Sequence, residues 1–138
     1  MTPDAELYEL PEFSAILSFI DAIFSELNMG LLIYHVEEPR DIRTARLIYA
    51  NKTASAYTGA DLKHQVGKTI FDAFPQLVDT DAPRIYFEVV NDKQARNAGI
   101  IEYQDRRVHH GRYATRAFPM PNDCIGVLFD KLGDRPAS

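Results

Sequence analysis

Residues 47–59, LIYANKTASAYTG, join a short apolar run to a short polar one. The run LIYA is rich in residues that favour strands. Asn51 follows it and can cap a helix, because its side-chain oxygen accepts hydrogen bonds from free backbone N–H groups. Gly59 can end that helix, because glycine adopts positive φ without steric cost. The stretch therefore predicts a strand that turns directly into a short helix.

An apolar run also precedes this stretch, and the two runs predict a pair of strands. Residues 29–36 read MGLLIYHV, and residues 45–50 read ARLIYA. The intervening EEPRDIRT is polar, charged and contains Pro39, which is typical of a connection between strands. The two strands are therefore expected to be antiparallel neighbours.

Helical signals follow the stretch. Gly67 separates short helical segments before Pro75, and Asp81 with Pro83 has the pattern of a cap and first turn of a longer helix. Apolar residues lie on one face of that helix, which is expected to continue through Arg96. A group of short helices followed by one longer helix is therefore predicted between two sets of strands.

The last third of the chain returns to strand-like alternation. Strands are predicted from Ile100 (IIEYQ), Tyr113 (YATRAF) and Cys124 (CIGVLF), joined by the turn-rich links DRRVHHG and PMPND. Strands and helices do not alternate along the chain, which disfavours a parallel sheet. The predicted class is α+β, with a five-stranded antiparallel sheet covered by short helices.

An amphipathic flanking helix is predicted ahead of the sheet, over residues 11–28. Its apolar residues recur at helical spacing, and they are Phe13, Ile16, Leu17, Ile20, Ile23, Phe24 and Leu27. One interpretation packs this helix on its own domain, because both faces of the last strand are apolar and need a cover. The other makes it the seam of a homodimer, because Phe13, Ile20 and Leu27 repeat at heptad spacing. Both interpretations stay open from the sequence.

Composition limits the partners and the compartment. The chain has 138 residues, with 15 Lys and Arg against 20 Asp and Glu, and a formal net charge of -5. One domain of ordinary globular composition is expected, with no basic surface for nucleic acid or for an anionic membrane. Cys124 is the single cysteine, so an intramolecular disulfide is impossible. The acidic start MTPDAELYELPE is unlike a secretory signal, and a cytoplasmic location is expected.

Three segments together resemble a PAS domain, the sensory module of many bacterial regulators. The first is residues 47–59, in which a strand, Asn51 and Gly59 stand at the family's offsets. The second is residues 66–75, VGKTIFDAFP, a glycine-led stretch that ends in Phe-Pro. The third is residues 111–132, where GRYATRAFPMPND and IGVLFDKL resemble the family's final two strands.

The resemblance implies a sensory or interaction module of a signal-transduction protein. It implies a PAS domain over residues 29–132, a flanking helix over residues 1–28 and a tail or linker over residues 133–138. Such a module binds a small molecule or mediates dimerisation, and it passes a signal onward. Residues with structural roles are expected where the backbone turns, and they are Asn51, Gly59 and Gly67.

The end of the domain is where such modules pass the signal on. Residues 129–135, FDKLGDR, resemble the family's acidic exit, with Asp130 as the matching residue and Leu132 in place of the usual Thr. In the family the downstream partner is often a histidine kinase or a cyclic-dinucleotide enzyme. The resemblance therefore implies an output domain of that kind, either in a longer chain or as a separate partner.

No catalytic or metal-binding motif is legible in the sequence. His35, His64, His109 and His110 have no HxxxH or HExxH spacing, and VGKT lacks the upstream glycine of a phosphate-binding loop. A non-enzymatic protein without a metal is therefore expected. Two alternatives stay open, a pure dimerisation domain without a ligand and a small α+β enzyme with an unrecognised site.

The cofactor-binding types of the family match this chain poorly. The flavin photoreceptor type places a reactive cysteine three residues after the glycine that Gly67 resembles, and this chain has Ile70 there. The haem type takes an axial histidine from the long helix, and residues 81–98 contain no histidine. Haem and a flavin adduct are therefore not expected, which leaves a small organic ligand.

A pocket between the sheet and the helices would hold such a ligand. Its expected lining is aromatic side chains with a few polar ones, namely Tyr57, Phe71, Phe74, Tyr86, Phe87, Tyr113, Thr115 and Arg116. Arg116 or Arg84 would favour a carboxylate, because a guanidinium can pair with one through two hydrogen bonds. The alternative is that the aromatic side chains fill the core and leave no room for a ligand.

Overall fold

The structure is a computed structural model that describes residues 11–133, with side chains from residue 14 onward. Its helices are α1 (Pro11–Glu26), α2 (Lys52–Thr58), α3 (Ile70–Ala73) and α4 (Ala82–Asp92). Its strands are β1 (Gly30–Val36), β2 (Ala45–Ala50), β3 (Arg96–Tyr103), β4 (Gly111–Met120) and β5 (Cys124–Leu132). Short 3₁₀ turns occur at Ile42–Thr44, Leu62–Gln65 and Pro75–Asp79.

Parts of the sequence-based expectations fall on the remaining residues. The side chain of Phe13, the first part of the flanking segment 1–28 and nearly all of the tail 133–138 lie outside the described residues. Within residues 11–133, none of the helices has the length and apolar character that crossing a membrane requires.

The five strands form one antiparallel sheet in the order β2-β1-β5-β4-β3. β1 and β5 pair with each other inside this sheet, and Gly30 lies opposite Phe129. The start of β1 and the end of β5 therefore lie at the same end of the sheet. The predicted α+β class and the five-stranded antiparallel sheet are confirmed.

Asn51 holds the turn from β2 into α2. Its Oδ1 accepts hydrogen bonds from the N–H groups of Ala54 at 2.8 Å and Leu31 at 3.0 Å. Its Nδ2 donates to the carbonyl of Met29 at 2.9 Å, and the side chain is 1% exposed. One buried amide thus caps α2 and ties it to the start of β1. Gly59 ends α2 in the left-handed conformation, at a φ of 71°.

α4 is shorter than the sequence pattern predicted. It ends at Asp92, because Lys93 takes the left-handed conformation at a φ of 61°. The Asp92 carboxylate accepts a hydrogen bond from the N–H of Gln94 at 3.0 Å and forms an ion pair with Arg96. These contacts stabilise a turn, and Arg96 opens β3. The expectation that the helix continues through Arg96 is therefore wrong.

The inner face of the sheet and the helical layer enclose the main core. Tyr34, Leu47 and Ile125 of the sheet have no exposed surface. The rings of Phe74 and Tyr103 pack edge to face, with centroids 5.9 Å apart. These contacts fix the helical layer over the part of the sheet where the candidate site lies.

α1 covers part of the outer face of the sheet. Three of its apolar side chains pack against a small buried cluster there, and the contact joins Leu17, Ile20 and Phe24 to Leu31, Ile33 and Cys124. Asp21 adds a polar anchor, because its Oδ1 accepts from the N–H of Lys52 at 3.0 Å and lies 3.3 Å from the hydroxyl of Tyr49. The helix is therefore held on its own domain at both β2 and α2.

Candidate ligand cavity

A small cavity lies between the inner face of the sheet and the helical layer. Its volume is about 60 Å³. Its wall contains no charged side chain and consists of Leu32, Tyr34, Thr58, Phe74, Leu77, Tyr86, Ile101, Tyr103, Tyr113, Thr115, Val127 and Phe129. A cavity of this size has room for water or for a molecule of a few heavy atoms.

Tyr34 is the distinctive polar group in this wall. Its side chain is fully buried, and its Oη has no hydrogen-bond partner among the described residues. By contrast, the hydroxyl of Thr58 donates to the carbonyl of Ala54 at 2.9 Å, and that of Thr115 donates to the carbonyl of Tyr113 at 3.0 Å. A buried polar group without a partner costs about 1–3 kcal/mol. Tyr34 therefore favours a bound molecule that can form a hydrogen bond with it.

Burial favours the neutral form of three tyrosine hydroxyls around the cavity by raising their pKa values. Burial, reinforced by the nearby Tyr86 and Tyr103, raises the pKa of Tyr34 well above its ordinary value. Burial also raises the pKa of Tyr86. The pKa of Tyr103 is raised by burial and by its hydrogen bond to Asp105. A charged ligand would therefore find no opposite charge in the wall, and burying its charge there would be costly.

These raised pKa values predict a loss of stability at alkaline pH. In the unfolded chain a tyrosine loses its proton near its ordinary pKa of about 10. The buried tyrosines of the folded state still hold their protons at that pH. Above about pH 10 the unfolded state thus binds fewer protons, and the free energy of unfolding falls by up to about 1.4 kcal/mol per pH unit for each such tyrosine. Full stability is kept below that pH.

Urea unfolding at a series of alkaline pH values measures this decline. In the Tyr34→Phe variant the free energy of unfolding is expected to fall less steeply with pH. The difference is the contribution of one tyrosine, about 1.4 kcal/mol per pH unit. A slope equal to that of the unmodified protein would contradict the burial of the Tyr34 hydroxyl in the folded state.

The cavity brings together part of the residue set that the sequence indicated. The predicted residues in its wall are Phe74, Tyr86, Tyr113 and Thr115. The other predicted aromatic side chains lie outside that wall, and they are Tyr57, Phe71 and Phe87. Phe71 packs partly buried against the core, while the hydroxyl of Tyr57 reaches the joint between α1 and β1. Gly67, at a φ of 97°, lies in a turn where its N–H donates to the carbonyl of Leu47 at 2.7 Å.

Neither candidate arginine lines the cavity. Successive side chains of a strand point to opposite faces of a sheet. Thr115 faces the cavity, so the exposed Arg116 lies on the outer face, opposite Leu128 of β5. Arg84 is also exposed and pairs with Glu88 at 3.3 Å. These positions correct the expectation that one of the two guanidinium groups would hold a carboxylate in the pocket.

β1 supplies the wall residues that the sequence interpretation missed. Leu32 and Tyr34 line the cavity together with Val127 and Phe129 of β5. The alternation within MGLLIYHV puts Leu32 and Tyr34 on the same face of the strand, so the sequence signal predicts that both side chains point to the same side of the sheet. Alternation alone does not show which face of the sheet the helices cover, so it does not predict that Tyr34 lines the cavity.

A wider groove lies on the surface beside the loop between β3 and β4. Its wall carries both carboxylates and guanidinium groups, among them Asp79, Glu102, Arg106 and Arg107. Because both signs of charge are open to solvent, this groove favours no single class of ligand. Among the described side chains, no group of three or more His, Cys, Asp or Glu residues is arranged to hold a metal ion.

These features define a class of protein, a small α+β domain with a cavity between its sheet and its helical layer. Similar solved structures carry the PAS fold. The PAS domain of a protein from Colwellia psychrerythraea matches with a TM-score of 0.63 and 13% identity, over 87% of this chain and 99% of that one. A domain of the sensory box sensor histidine kinase/response regulator from Geobacter sulfurreducens matches with a TM-score of 0.61 and 12% identity, over 88% and 97% of the two chains.

A third similar structure is the photoactive yellow protein domain of a sensor histidine kinase from Rhodospirillum centenum. It has a TM-score of 0.56 and 15% identity, over 80% of this chain and 97% of that one. No family model matches the chain, and no curated protein matches it significantly. The chain therefore has the PAS fold, as its sequence motifs predicted.

Proposed function

We propose that the chain is the sensory module of a signal-transduction protein and takes up a small neutral molecule in the cavity beside Tyr34. Two of the similar structures are domains of sensor histidine kinases, which supports a sensory role. In this proposal the chain has no catalytic activity of its own. It acts on an output domain or partner, such as a histidine kinase or a cyclic-dinucleotide enzyme, in the same chain or a separate one.

The unpartnered hydroxyl of Tyr34 is the observation that carries this proposal. Buried polar groups in folded proteins are nearly always hydrogen-bonded, to protein or to a bound molecule. The surrounding wall is uncharged and largely apolar in surface, so the proposed ligand is neutral and carries a group that can hydrogen-bond with Tyr34. Its size is limited to a few heavy atoms by the volume of about 60 Å³.

The cavity does not fit a flavin or a haem. Sites for molecules of that size typically enclose about 300–1,000 Å³, whereas this cavity has about 60 Å³. Ile70, at the position of the flavin type's cysteine, is fully buried in the core. α4, with the sequence APRIYFEVVND, has no histidine to offer a haem iron. The proposed ligand is therefore much smaller than either cofactor.

Acetone is a suitable probe for the proposed site, because it is small and neutral and has one hydrogen-bond acceptor. Titration followed by NMR of the backbone amides is expected to give saturable shifts in β1 and β5, with a dissociation constant of about 1 mM or weaker. The Tyr34→Phe variant loses one hydrogen bond to the probe. It is expected to bind acetone about 3- to 10-fold more weakly.

Acetate is the matched control, because it has the same number of heavy atoms as acetone but carries a charge. It is expected not to bind, since the wall offers no opposite charge. Equal acetone affinity in the unmodified protein and the Tyr34→Phe variant would count against the proposal. Absence of saturable binding would favour the alternative, an interaction domain with a filled core.

We also propose that α1 pairs with a second copy of the chain. Apolar side chains at helical spacing remain open on this segment, with exposed fractions of 53% for Ile16, 73% for Phe19, 56% for Ile23 and 60% for Leu27. An exposed apolar patch of this kind is typical of a protein interface. Leu17, Ile20 and Phe24 pack on the chain's own sheet, so the heptad seam expected through Ile20 is not kept. The proposed interface uses the exposed residues of the segment instead.

The signal is proposed to leave through the end of β5, where Asp130 lies. Val127 and Phe129 of the same strand line the cavity, and Asp130 directly follows them. A ligand that contacts Phe129 and shifts β5 would therefore displace Asp130, the next residue of the strand. This route needs no contact between the ligand and the partner.

A further inference from the structure

Tyr57 joins the two ends of the domain. Its Oη lies 2.5 Å from the carbonyl oxygen of Asn28, in the joint between α1 and β1. The same Oη lies 3.2 Å from Oδ1 of Asp130, near the end of β5. These partners are 29 and 73 residues away from Tyr57 in the sequence. One side chain therefore contacts both the segment that leads into the sheet and the segment that leads out of it.

A tyrosine hydroxyl has one proton and can donate only one full hydrogen bond at a time. The Asn28 carbonyl is the nearer acceptor, whereas the Asp130 carboxylate is the stronger one because it is charged. The two acceptors therefore compete for the same proton. Such competition gives the side chain two arrangements. In one the hydroxyl donates to the Asn28 carbonyl, and in the other it donates to the Asp130 carboxylate.

The rest of Tyr57 is anchored at the exit and near the cavity. Its backbone carbonyl accepts hydrogen bonds from Nζ of Lys131 at 3.0 Å and from the hydroxyl of Tyr113 at 3.3 Å. Its ring packs against Phe129, with centroids 6.2 Å apart. Small displacements of β4 or β5 therefore move Tyr57 as well. Its hydroxyl is the part of the residue that can donate to either of two acceptors.

The joint that Tyr57 contacts is a sharp turn. Asn28 has a φ of 55°, in the left-handed region. The N–H of Asn28 donates to the carbonyl of Ser25, and the N–H of Met29 donates to that of Phe24, at 3.1 and 3.0 Å. The angle at which α1 leaves the sheet depends on this turn. A hydrogen bond to the Asn28 carbonyl therefore bears directly on the position of α1.

We propose that Tyr57 is a two-position switch that couples the α1–β1 joint to the end of β5. When its hydroxyl donates to Asn28, the joint is held and Asp130 is released, and when it donates to Asp130, the reverse occurs. A partner that engages the end of β5 thereby changes the position of α1. This coupling lies within the chain itself, and it stands whether or not the cavity binds a ligand.

A double-mutant cycle tests the coupling. Asp130→Ala removes one of two competing acceptors, so the hydroxyl should stay on Asn28 and protect the joint. Hydrogen exchange at the amides of Asn28 and Met29 is expected to slow about twofold in this variant. Tyr57→Phe is expected to speed exchange there about two- to fivefold while keeping the ring in place. In the Tyr57→Phe background, Asp130→Ala should have no effect on these amides.

Asp79→Ala is the matched control, because Asp79 is an exposed carboxylate that makes no hydrogen bond with Tyr57 or Asn28. It should leave exchange at the joint unchanged. The proposal is overturned if Asp130→Ala does not alter exchange at Asn28 and Met29. It is equally overturned if the effect of Asp130→Ala persists in the Tyr57→Phe background, since the effect would then bypass the hydroxyl.

Discussion

Replacing Asn51 with alanine is expected to lower the free energy of unfolding by about 3 kcal/mol. The loss of the cap on α2 contributes about 1 kcal/mol. The N–H of Leu31 and the carbonyl of Met29 also lose their hydrogen bonds to this side chain. A buried group left unpaired costs about 1–3 kcal/mol, which supplies the remainder. Such a loss is a large part of the stability of a small domain.

Urea unfolding of the Asn51→Ala variant measures this loss, with Asn91→Ala as its control. Asn91 also makes side-chain hydrogen bonds, to the carbonyls of Pro39 at 2.7 Å and Phe87 at 2.8 Å, but it is exposed. Water can replace these bonds, so the control is expected to lose no more than about 0.5 kcal/mol. Similar losses in the two variants would contradict the role given to Asn51.

The double variant Phe19→Glu with Ile23→Glu is expected to weaken the proposed dimer by at least about 100-fold. Burying a large apolar side chain contributes about 1.5–3 kcal/mol, and a twofold symmetric interface contains each residue twice. A glutamate in such a seam would also lose its hydration without gaining a partner. Sedimentation velocity over a range of protein concentrations gives the dissociation constants.

Ile100→Glu is the control for that experiment. Ile100 is 52% exposed on β3, outside α1, so its replacement puts a glutamate on an exposed apolar site without touching the helix, although it adds one negative charge instead of two. It should leave the dimer intact. A monomeric unmodified protein at high concentration would contradict the proposed pairing, and equal weakening by Ile100→Glu would place the interface elsewhere.

Local signals were sufficient to predict the fold, because the residues that shape it act on their immediate neighbours. Asn51 caps the helix that starts at the next residue, and Gly59 ends that helix. The alternating apolar runs predicted the strands in the same way. Arg96 fits the last turn of a helix equally well by residue type, so the sequence pattern does not show where α4 ends. The helix ends at Asp92 because Lys93 takes the left-handed conformation.

The candidate site was harder to predict, because it depends on residues distant in the sequence. The wall of the cavity joins Tyr34 of β1 to Tyr86 of α4 and Tyr113 of β4. Its position on the strand of Tyr113 and Thr115 predicted Arg116 in the pocket, whereas the alternation of β4 turns its side chain to the outer face. Tyr57 was expected to line the pocket as an aromatic residue, but its hydroxyl finds partners at the two ends of the domain.

A crystal structure of the protein equilibrated with acetone tests the central claim most directly. The expected result is one acetone molecule in the cavity between the sheet and the helices, with its oxygen within hydrogen-bond distance of Tyr34 Oη. Crystals of the Tyr34→Phe variant should show lower occupancy at the same position. The account would be contradicted by a cavity that holds only water or is closed by shifted side chains, with the Tyr34 hydroxyl bonded to a protein group.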